Sequence, residues 1–153
     1  MNDTSYPGSP FLKAALEGDI KTLKSLLEDK NIDLEQRDEY GSTALILATF
    51  NSHTEAVRLL IDHGADINAV GYDGNTALMI ALSVECTKLL VESGANLEIK
   101  NKCGDTALDV AKASARTPLS FESDRIREKF LKAAVKKNKG PGKVSRIIKK
   151  LGF

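Results

Sequence analysis

The chain has 153 residues, 42% hydrophobic and 28% charged, and its 22 basic and 21 acidic residues leave a net charge of +1. That is enough for one domain with a continuous core. Two cysteines without paired spacing exclude a disulfide framework and a zinc-finger type of site, and no apolar run reaches the roughly 20 residues of a membrane helix. The N-terminal residues show no secretory signal, so we expect a cytoplasmic protein.

The first helix pair is predicted within residues 9–37, after a polar lead at residues 1–8 that is typical of a flexible terminus. Ser9 and Pro10 make a good helix start, because the hydroxyl accepts a backbone N–H and proline gives up a donor that has no partner. Gly18-Asp19 is expected to end the first helix and cap the second. Asn31 is predicted to take the left-handed position after the second helix.

Residues 38–70 contain a pattern that recurs further along the chain. The string Gly-x-Thr-Ala-Leu occupies residues 41–45, 74–78 and 104–108, at steps of 33 and 30 residues. A fixed period of this length indicates a protein built from structural repeats. In residues 38–70 we expect one helix to start at Thr43 and a second at Thr54, with Gly64 ending the second because glycine adopts the left-handed conformation without steric cost.

The third copy of the pattern, residues 71–100, is three residues short. Alignment with the second copy places the loss between its two helices, where the equivalent of Phe50-Asn51-Ser52 is missing. Leu82-Ser83 must then turn the chain alone, which predicts a shortened first helix and a notch in that face.

The fourth copy, residues 101–138, departs from the pattern after its first helix. A longer link is expected over residues 114–123, before a final helix with Ile126, Phe130, Leu131, Ala134 and Val135 on its apolar face. The Gly-Pro-Gly string at residues 140–142 predicts a firm helix end.

Charge is divided unevenly along the chain. Residues 1–128 hold 13 basic and 21 acidic residues, a net charge of −8, whereas nine basic residues and no acid follow Glu128. In residues 139–153, apolar side chains at 144, 147, 148 and 151 predict a short basic amphipathic helix. It has three alternative uses: as an extra cap on the last repeat, as a partner-binding peptide, or as a lipid or nucleic-acid contact. The candidate contacts in this tail are Lys143, Arg146, Ile147, Lys149 and Lys150.

The recurring pattern resembles the ankyrin repeat, a unit of about 33 residues with two helices and a β-turn. The resemblance covers roughly residues 11–138. It implies an all-α solenoid of about four repeats joined by hairpin-like loops, with capping repeats at 9–37 and 101–138, a full repeat at 38–70 and a shortened one at 71–100. The family's Thr-Pro-Leu-His is Thr43-Ala44-Leu45-Ile46 here, so its usual histidine hydrogen bonds are expected to be missing.

The sequence offers no set of residues with catalytic spacing. It contains no phosphate-binding glycine loop, no nucleophile elbow and no histidine–carboxylate cluster. His53 and His63 fall at a turn and a helix end, where structural roles are expected. Cys103 falls at a hairpin tip without a neighbouring base. We therefore expect a non-enzyme without cofactor or metal.

The resemblance implies that a protein partner binds the concave surface made by the hairpin tips and inner helices. The positions carried over to that surface are Arg37, Glu39, Tyr40, Ser42, Phe50, Asn51, Val70, Tyr72, Asp73, Asn75, Lys100, Lys102 and Asp105. Aromatic side chains supply much of the binding energy at interfaces, which singles out Tyr40, Phe50 and Tyr72. The alternative is that each of the three packs only on its neighbouring repeat.

Two functions from different classes follow. The main hypothesis is a monomeric, non-catalytic module that binds a protein partner on the concave surface, in one version by covering an enzyme's active cleft. The alternative is an adaptor that binds an anionic membrane or nucleic acid through the basic tail.

Overall fold

A computed structural model describes residues 9–116 and 122–136 of the chain. Within these residues the only regular elements are helices, and two isolated β-bridges, Arg37 to Thr43 and Val70 to Thr76, close loops between them. In chain order the α-helices are α1 (Pro10–Glu17), α2 (Ile20–Leu27), α3 (Ala44–Phe50), α4 (Thr54–Asp62), α5 (Ala77–Ile80), α6 (Val84–Glu92), α7 (Ala107–Ala115) and α8 (Glu122–Lys136). The all-α class expected from the sequence is confirmed.

The helices form two layers. The inner helices α1, α3, α5 and α7 each contact the next inner helix along the chain, and the outer helices α2, α4, α6 and α8 do the same. Each inner helix also packs on the outer helix that follows it. Four helix pairs are therefore stacked side by side, as a solenoid of about four repeats requires.

The core is built from leucines of both layers and from alanines where helices approach closely. The leucines with at most 2% of their surface exposed are Leu12, Leu23, Leu45, Leu60, Leu78, Leu90 and Leu131. Alanines with no exposed surface are Ala15, Ala44, Ala48, Ala56, Ala81, Ala111 and Ala134. In the final helix three members of the predicted apolar face, Phe130, Leu131 and Ala134, are buried, and the other two, Ile126 and Val135, are half-buried.

The predicted start signals of the first two helices are confirmed. The Ser9 hydroxyl accepts the backbone N–H of Leu12 at the start of α1. Gly18 ends α1 in the left-handed conformation, at φ +69°. The Asp19 carboxylate accepts the backbone N–H and the hydroxyl of Thr22, and these hydrogen bonds lower the pKa of Asp19.

The start of α7 is held by a reciprocal pair of hydrogen bonds. The Thr106 hydroxyl accepts the N–H of Asp109, while the Asp109 carboxylate accepts the N–H and the hydroxyl of Thr106. Hydrogen bonds from Thr106 and then from the Lys112 ammonium lower the pKa of Asp109 to about 2.

The shortened inner helix of the third pair is also confirmed. Helix α5 has four residues where α3 has seven. Ala81 leaves the helix with an extended backbone, at ψ 116°, and Ser83 already caps α6. Leu82 between them is 54% exposed.

Two local predictions are wrong. Asn31 does not have a positive φ; instead, Asp29 closes the turn after α2 by accepting the N–H of Asn31 on its carboxylate and that of Ile32 on its carbonyl. The link expected over residues 114–123 is too long at both ends, because α7 extends to Ala115 and α8 begins at Glu122. The predicted helix end at residues 140–142 and the tail at 139–153 lie outside the described residues.

One buried residue has no counterpart in the sequence-based prediction. Arg127 in α8 is 2% exposed, and its guanidinium donates to the Asp124 carboxylate over 3.2 Å. Burial lowers the pKa of Arg127, and Asp124 offsets part of that effect. The burial of Arg127 is unusual, since charged residues are seldom buried unless they are paired.

Candidate functional site

The inner helices and the loops before α3 and α5 enclose an open hollow of about 570 Å³. We call it the hollow and define it by its ten lining residues: Leu16, Asp38, Tyr40, Ser42, Ile46, Leu47, Phe50, Tyr72, Asn75 and Ile80. It extends across three inner helices, because Leu16 belongs to α1, Phe50 to α3 and Ile80 to α5. Seven of these ten side chains are aliphatic or aromatic, none is cationic and one is an acid, so the lining suits an apolar ligand without a negative charge.

Three aromatic side chains stand around the hollow with most of their surface exposed. Tyr40 is 63%, Phe50 56% and Tyr72 64% exposed. Burying such side chains against a partner removes a large apolar area from water. Their exposure argues against the alternative that they serve only to pack on the neighbouring repeat.

The loop before α3, here the first tip, is fixed by Asp38. Its carboxylate accepts the backbone N–H groups of Tyr40 and Ser42, at 2.9 and 2.7 Å. The guanidinium of Arg37 donates to the carbonyl of Gly41 and to that of Val70 in the next loop, at 2.7 and 2.6 Å. Because these bonds fix the loop backbone on both sides of Tyr40, the ring is presented from a rigid base.

The loop before α5, the second tip, has Gly71 where the first tip has Asp38. A Cβ at Gly71 would lie 3.0 Å from the Ile46 side chain, so glycine allows Ile46 to pack beneath the tip. The loop turns through a short 3₁₀ segment, Tyr72–Gly74, in which Asp73 takes a left-handed conformation at φ +54°. This turn places Tyr72 at the rim of the hollow.

The loop before α7, the third tip, repeats the first arrangement with Asn101. Its side-chain oxygen accepts the N–H groups of Cys103 and Asp105, both at 3.0 Å, and its amide donates to Asn75 in the second tip. The carbonyl of Asp73 accepts the N–H of Lys102 at 2.9 Å. The three tips are therefore joined into one row by hydrogen bonds between neighbours.

The predicted partner-binding residues divide into two groups. Five of them line the hollow: Tyr40, Ser42, Phe50, Tyr72 and Asn75. The others lie outside it, along the tips or at the end of α3: Arg37, Glu39, Asn51, Val70, Asp73, Lys100, Lys102 and Asp105. Asn51 donates its amide to the carbonyl of Leu47 in its own helix, and Lys102 pairs with Asp73 at 3.5 Å on the surface. The tail candidates, Lys143, Arg146, Ile147, Lys149 and Lys150, lie outside the described residues.

Five lining residues were missed by the sequence-based prediction: Leu16, Asp38, Ile46, Leu47 and Ile80. The sequence-based prediction gave none of the four aliphatic members a role in binding, because aliphatic residues in helices are usually core residues. Leu16, in α1, and Ile80, the last residue of α5, are both only half-buried. The three-residue deletion was the available signal that this face is open.

The two histidines make structural contacts. The Nε2 of His53 lies 3.1 Å from the carbonyl oxygen of Leu16, which joins the second helix pair to the first. The Nδ1 of His63 lies 2.8 Å from the carbonyl oxygen of Leu59 in its own helix. Cys103 is exposed at the third tip, as predicted. Across the described residues, no three His, Cys, Asp or Glu side chains are grouped closely enough to hold a metal ion.

A two-layer stack of short helix pairs with a row of loops along one edge defines a helical repeat protein. Its family is identified by the match of residues 11–101, more than half of the chain, to the family described as "Ankyrin repeats (3 copies)". The chain belongs to the ankyrin repeat family. The match ends before α7, so the last helix pair lies beyond it. Ankyrin repeats in general are non-catalytic protein–protein interaction modules.

Three relatives match through a short region of the chain. Palmitoyltransferase akr1 of Schizosaccharomyces pombe is 44% identical over 66 residues, which are 43% of this chain and 10% of that protein. Ankyrin repeat domain-containing protein 29 is 46% identical in Danio rerio and 42% identical in Homo sapiens, each over 55 residues, 36% of this chain and 18% of each relative. The chain thus spans less than a fifth of the length of these relatives. No helix in residues 9–116 or 122–136 has the length and apolar character needed to cross a bilayer.

Proposed function

We propose that this chain is a non-catalytic binding module that holds a protein partner against the hollow and the adjoining row of tips. The observation that carries the proposal is the position of Tyr40, Phe50 and Tyr72, each more than half exposed around one apolar hollow. Aromatic anchors in a pocket, surrounded by polar contacts, are the usual source of affinity at protein interfaces.

Specificity is assigned to the polar side chains around the aromatics. Glu39, Asp73 and Lys102 are exposed at the tips, while Ser42 and Asn75 line the hollow itself. Rim charges such as these orient a partner and change its association rate more than its affinity. The module acts as a monomer inside the cell in this proposal, and chemistry, if any, belongs to the partner.

The test is partner capture from a cell extract with matched variants of the full chain. The double variant Tyr40→Ala/Tyr72→Ala is expected to weaken the affinity of a captured partner at least about thirtyfold, since a hot-spot side chain contributes about 2 kcal/mol or more. Leu82→Ala is the control, because Leu82 is exposed to a similar degree but does not line the hollow. A partner held equally well by the wild type and the double variant would refute this site.

The alternative function, an adaptor that binds an anionic membrane or nucleic acid, is favoured by the charge of the tail. In the full chain, Lys143, Arg146, Lys149 and Lys150 are changed together to Gln. If the tail carries the function, binding to anionic vesicles or nucleic acid falls steeply with added salt and disappears in this variant. Protein capture that persists at moderate salt and in the variant assigns the function to the hollow instead.

A further inference from the structure

Two parts of this chain differ markedly in net charge: the helix pairs that form the hollow, and the C-terminal segment. Residues 9–100, which build the first three helix pairs, contain 8 basic and 15 acidic residues, a net charge of −7. Residues 137–153 contain six basic residues and no acid. Oppositely charged surfaces attract and orient one another even before specific contacts form.

The apolar residues of the C-terminal segment suit the lining of the hollow. Val144, Ile147, Ile148 and Leu151 recur at i, i+3, i+4 and i+7, with Arg146, Lys149 and Lys150 between them. The hollow offers aliphatic and aromatic walls and no cation among its lining residues. Asp38 lies in its lining and Glu39 at the exposed rim. An apolar stripe flanked by cations is therefore complementary to this surface in both polarity and charge.

The segment is also long enough to reach the hollow. Seventeen residues follow Lys136 at the end of α8, and an extended chain spans about 3.3 Å per residue. Ile147, eleven residues on, can thus lie up to about 36 Å from the end of α8. Neighbouring packed helices are about 10 Å apart, so this reach covers several positions of the stack.

We infer that the C-terminal segment of this chain, through Ile147, Ile148 and Leu151, occupies the hollow of the same molecule and competes with the partner. The inference uses the site of the proposed function but adds its regulation: a partner must displace the segment. Because the segment is covalently attached, its effective concentration at the hollow is on the order of millimolar, and even weak contacts compete.

The experiment measures binding of a fluorescent peptide of residues 139–153 to three full-length chains. The wild type is expected to bind the peptide weakly, because its own segment fills the hollow. Ile147→Glu, which places a carboxylate in the apolar stripe, is expected to bind it at least tenfold more tightly. Ser145→Glu is the matched control, since it adds the same charge away from the stripe, and it should behave like the wild type.

A second pair of variants locates the peptide. In the Ile147→Glu chain, adding Tyr72→Ala should weaken peptide binding at least tenfold, whereas adding Leu82→Ala should leave it unchanged. Equal peptide affinity for the wild type and Ile147→Glu, or no binding to either, would overturn the inference. So would a wild-type mass that rises with concentration and falls on Ile147→Glu, because the segment would then fill the hollow of a second copy. No partner protein takes part in this assay, so its failure leaves the capture test of the proposed function unaffected.

Discussion

The second and third helix pairs follow one sequence pattern, yet their inner helices differ in length. Helix α3 has seven residues and α5 has four. The difference in length lies at the C-terminal end, because both helices start directly after the matching threonines, Thr43 and Thr76. The first turns are equally buried, since Leu45 and Leu78 are both 1% exposed. The first turn therefore builds the core of the stack, while the last turn shapes its surface. Three residues can be lost from the last turn without opening the core.

The same comparison shows how one position serves two purposes. His53 and Ser83 align at the start of the outer helices α4 and α6. The ring of His53 reaches back to the carbonyl of Leu16 in the first helix pair and makes no cap for α4. The Ser83 hydroxyl accepts the N–H of Cys86 and caps its own helix. The residue at this position thus ties the longer pair to its neighbour, whereas in the shorter pair it caps its own helix.

The prediction with the largest expected effect tests whether the first turns of α3 and α5 contribute equally to stability. Leu45→Ala and Leu78→Ala should each lower the free energy of unfolding by about 2 to 5 kcal/mol, because each removes a fully buried side chain and leaves a cavity. Urea denaturation measures both values, and Leu82→Ala, at an exposed position, should change stability by only about 0.5 kcal/mol. A loss below about 1 kcal/mol for Leu78→Ala alone would mean that the short helix does not carry the core.

The contact between His53 and the first helix pair, which has no counterpart in the third pair, can be tested through Gly18. A Cβ at this residue would lie 2.6 Å from the Nδ1 of His53, and φ is +69°. Gly64 has a similar φ of +92° but no atom within 4 Å of its Cβ position. Gly64→Ala should cost about 1 to 2 kcal/mol from backbone strain, and Gly18→Ala about 1 to 3 kcal/mol more from the clash.

The extra cost at Gly18 should depend on the histidine ring. In a double-mutant cycle, Gly18→Ala in a His53→Ala background should cost no more than Gly64→Ala does, because the clashing atoms are gone. If the extra cost persists without the ring, the strain at Gly18 comes from the backbone and the histidine does not define the spacing between the first two pairs.

The sequence predicted the inner-helix starts better than it predicted the surface. The recurring Gly-x-Thr-Ala-Leu string placed the starts of α3, α5 and α7 correctly, since a threonine at the position before a helix and the Ala-Leu pair that follows it are local signals. Leu16 and Ile80 were not recognised as part of the hollow, because whether an aliphatic residue is covered depends on which other helices pack over it. Arg127 was missed for a related reason: its burial depends on how α8 packs, and its own helical pattern does not show it.

A smaller effect is expected at the start of α6. Ser83→Ala removes the hydroxyl that accepts the N–H of Cys86 and should lower the free energy of unfolding by about 1 kcal/mol. Ser25→Ala, at an exposed position inside α2, is the control for losing a serine hydroxyl without losing a cap. Equal urea midpoints for the two variants would show that the cap contributes nothing, and the shortened pair would then depend on its neighbours alone.

The prediction with the smallest expected effect concerns how the starts of α5 and of the last inner helix, α7, are stabilised. Thr76 makes no side-chain hydrogen bond at the start of α5, whereas Thr106 and Asp109 cap α7 reciprocally. The folded pKa of Asp109, about 2, lies below its ordinary value of 3.8. The stabilisation is therefore complete above about pH 3.8 and is lost as the pH falls towards 2. Because 43% of the Asp109 side chain is exposed, solvent screening leaves about 1 kcal/mol of this effect.

Urea unfolding of the wild type and Asp109→Ala across that range measures the contribution directly. The stability difference should be about 1 kcal/mol at pH 7 and should shrink between pH 4 and pH 2, since every other acid is common to both proteins. Thr106→Ala should reduce the same pH dependence, because it removes the hydroxyl that holds the carboxylate. A difference that stays constant down to pH 2 would contradict the ionised cap. The fourth pair would then owe the start of its inner helix to packing against α5 and α8, as the third pair owes its own start to packing on both sides.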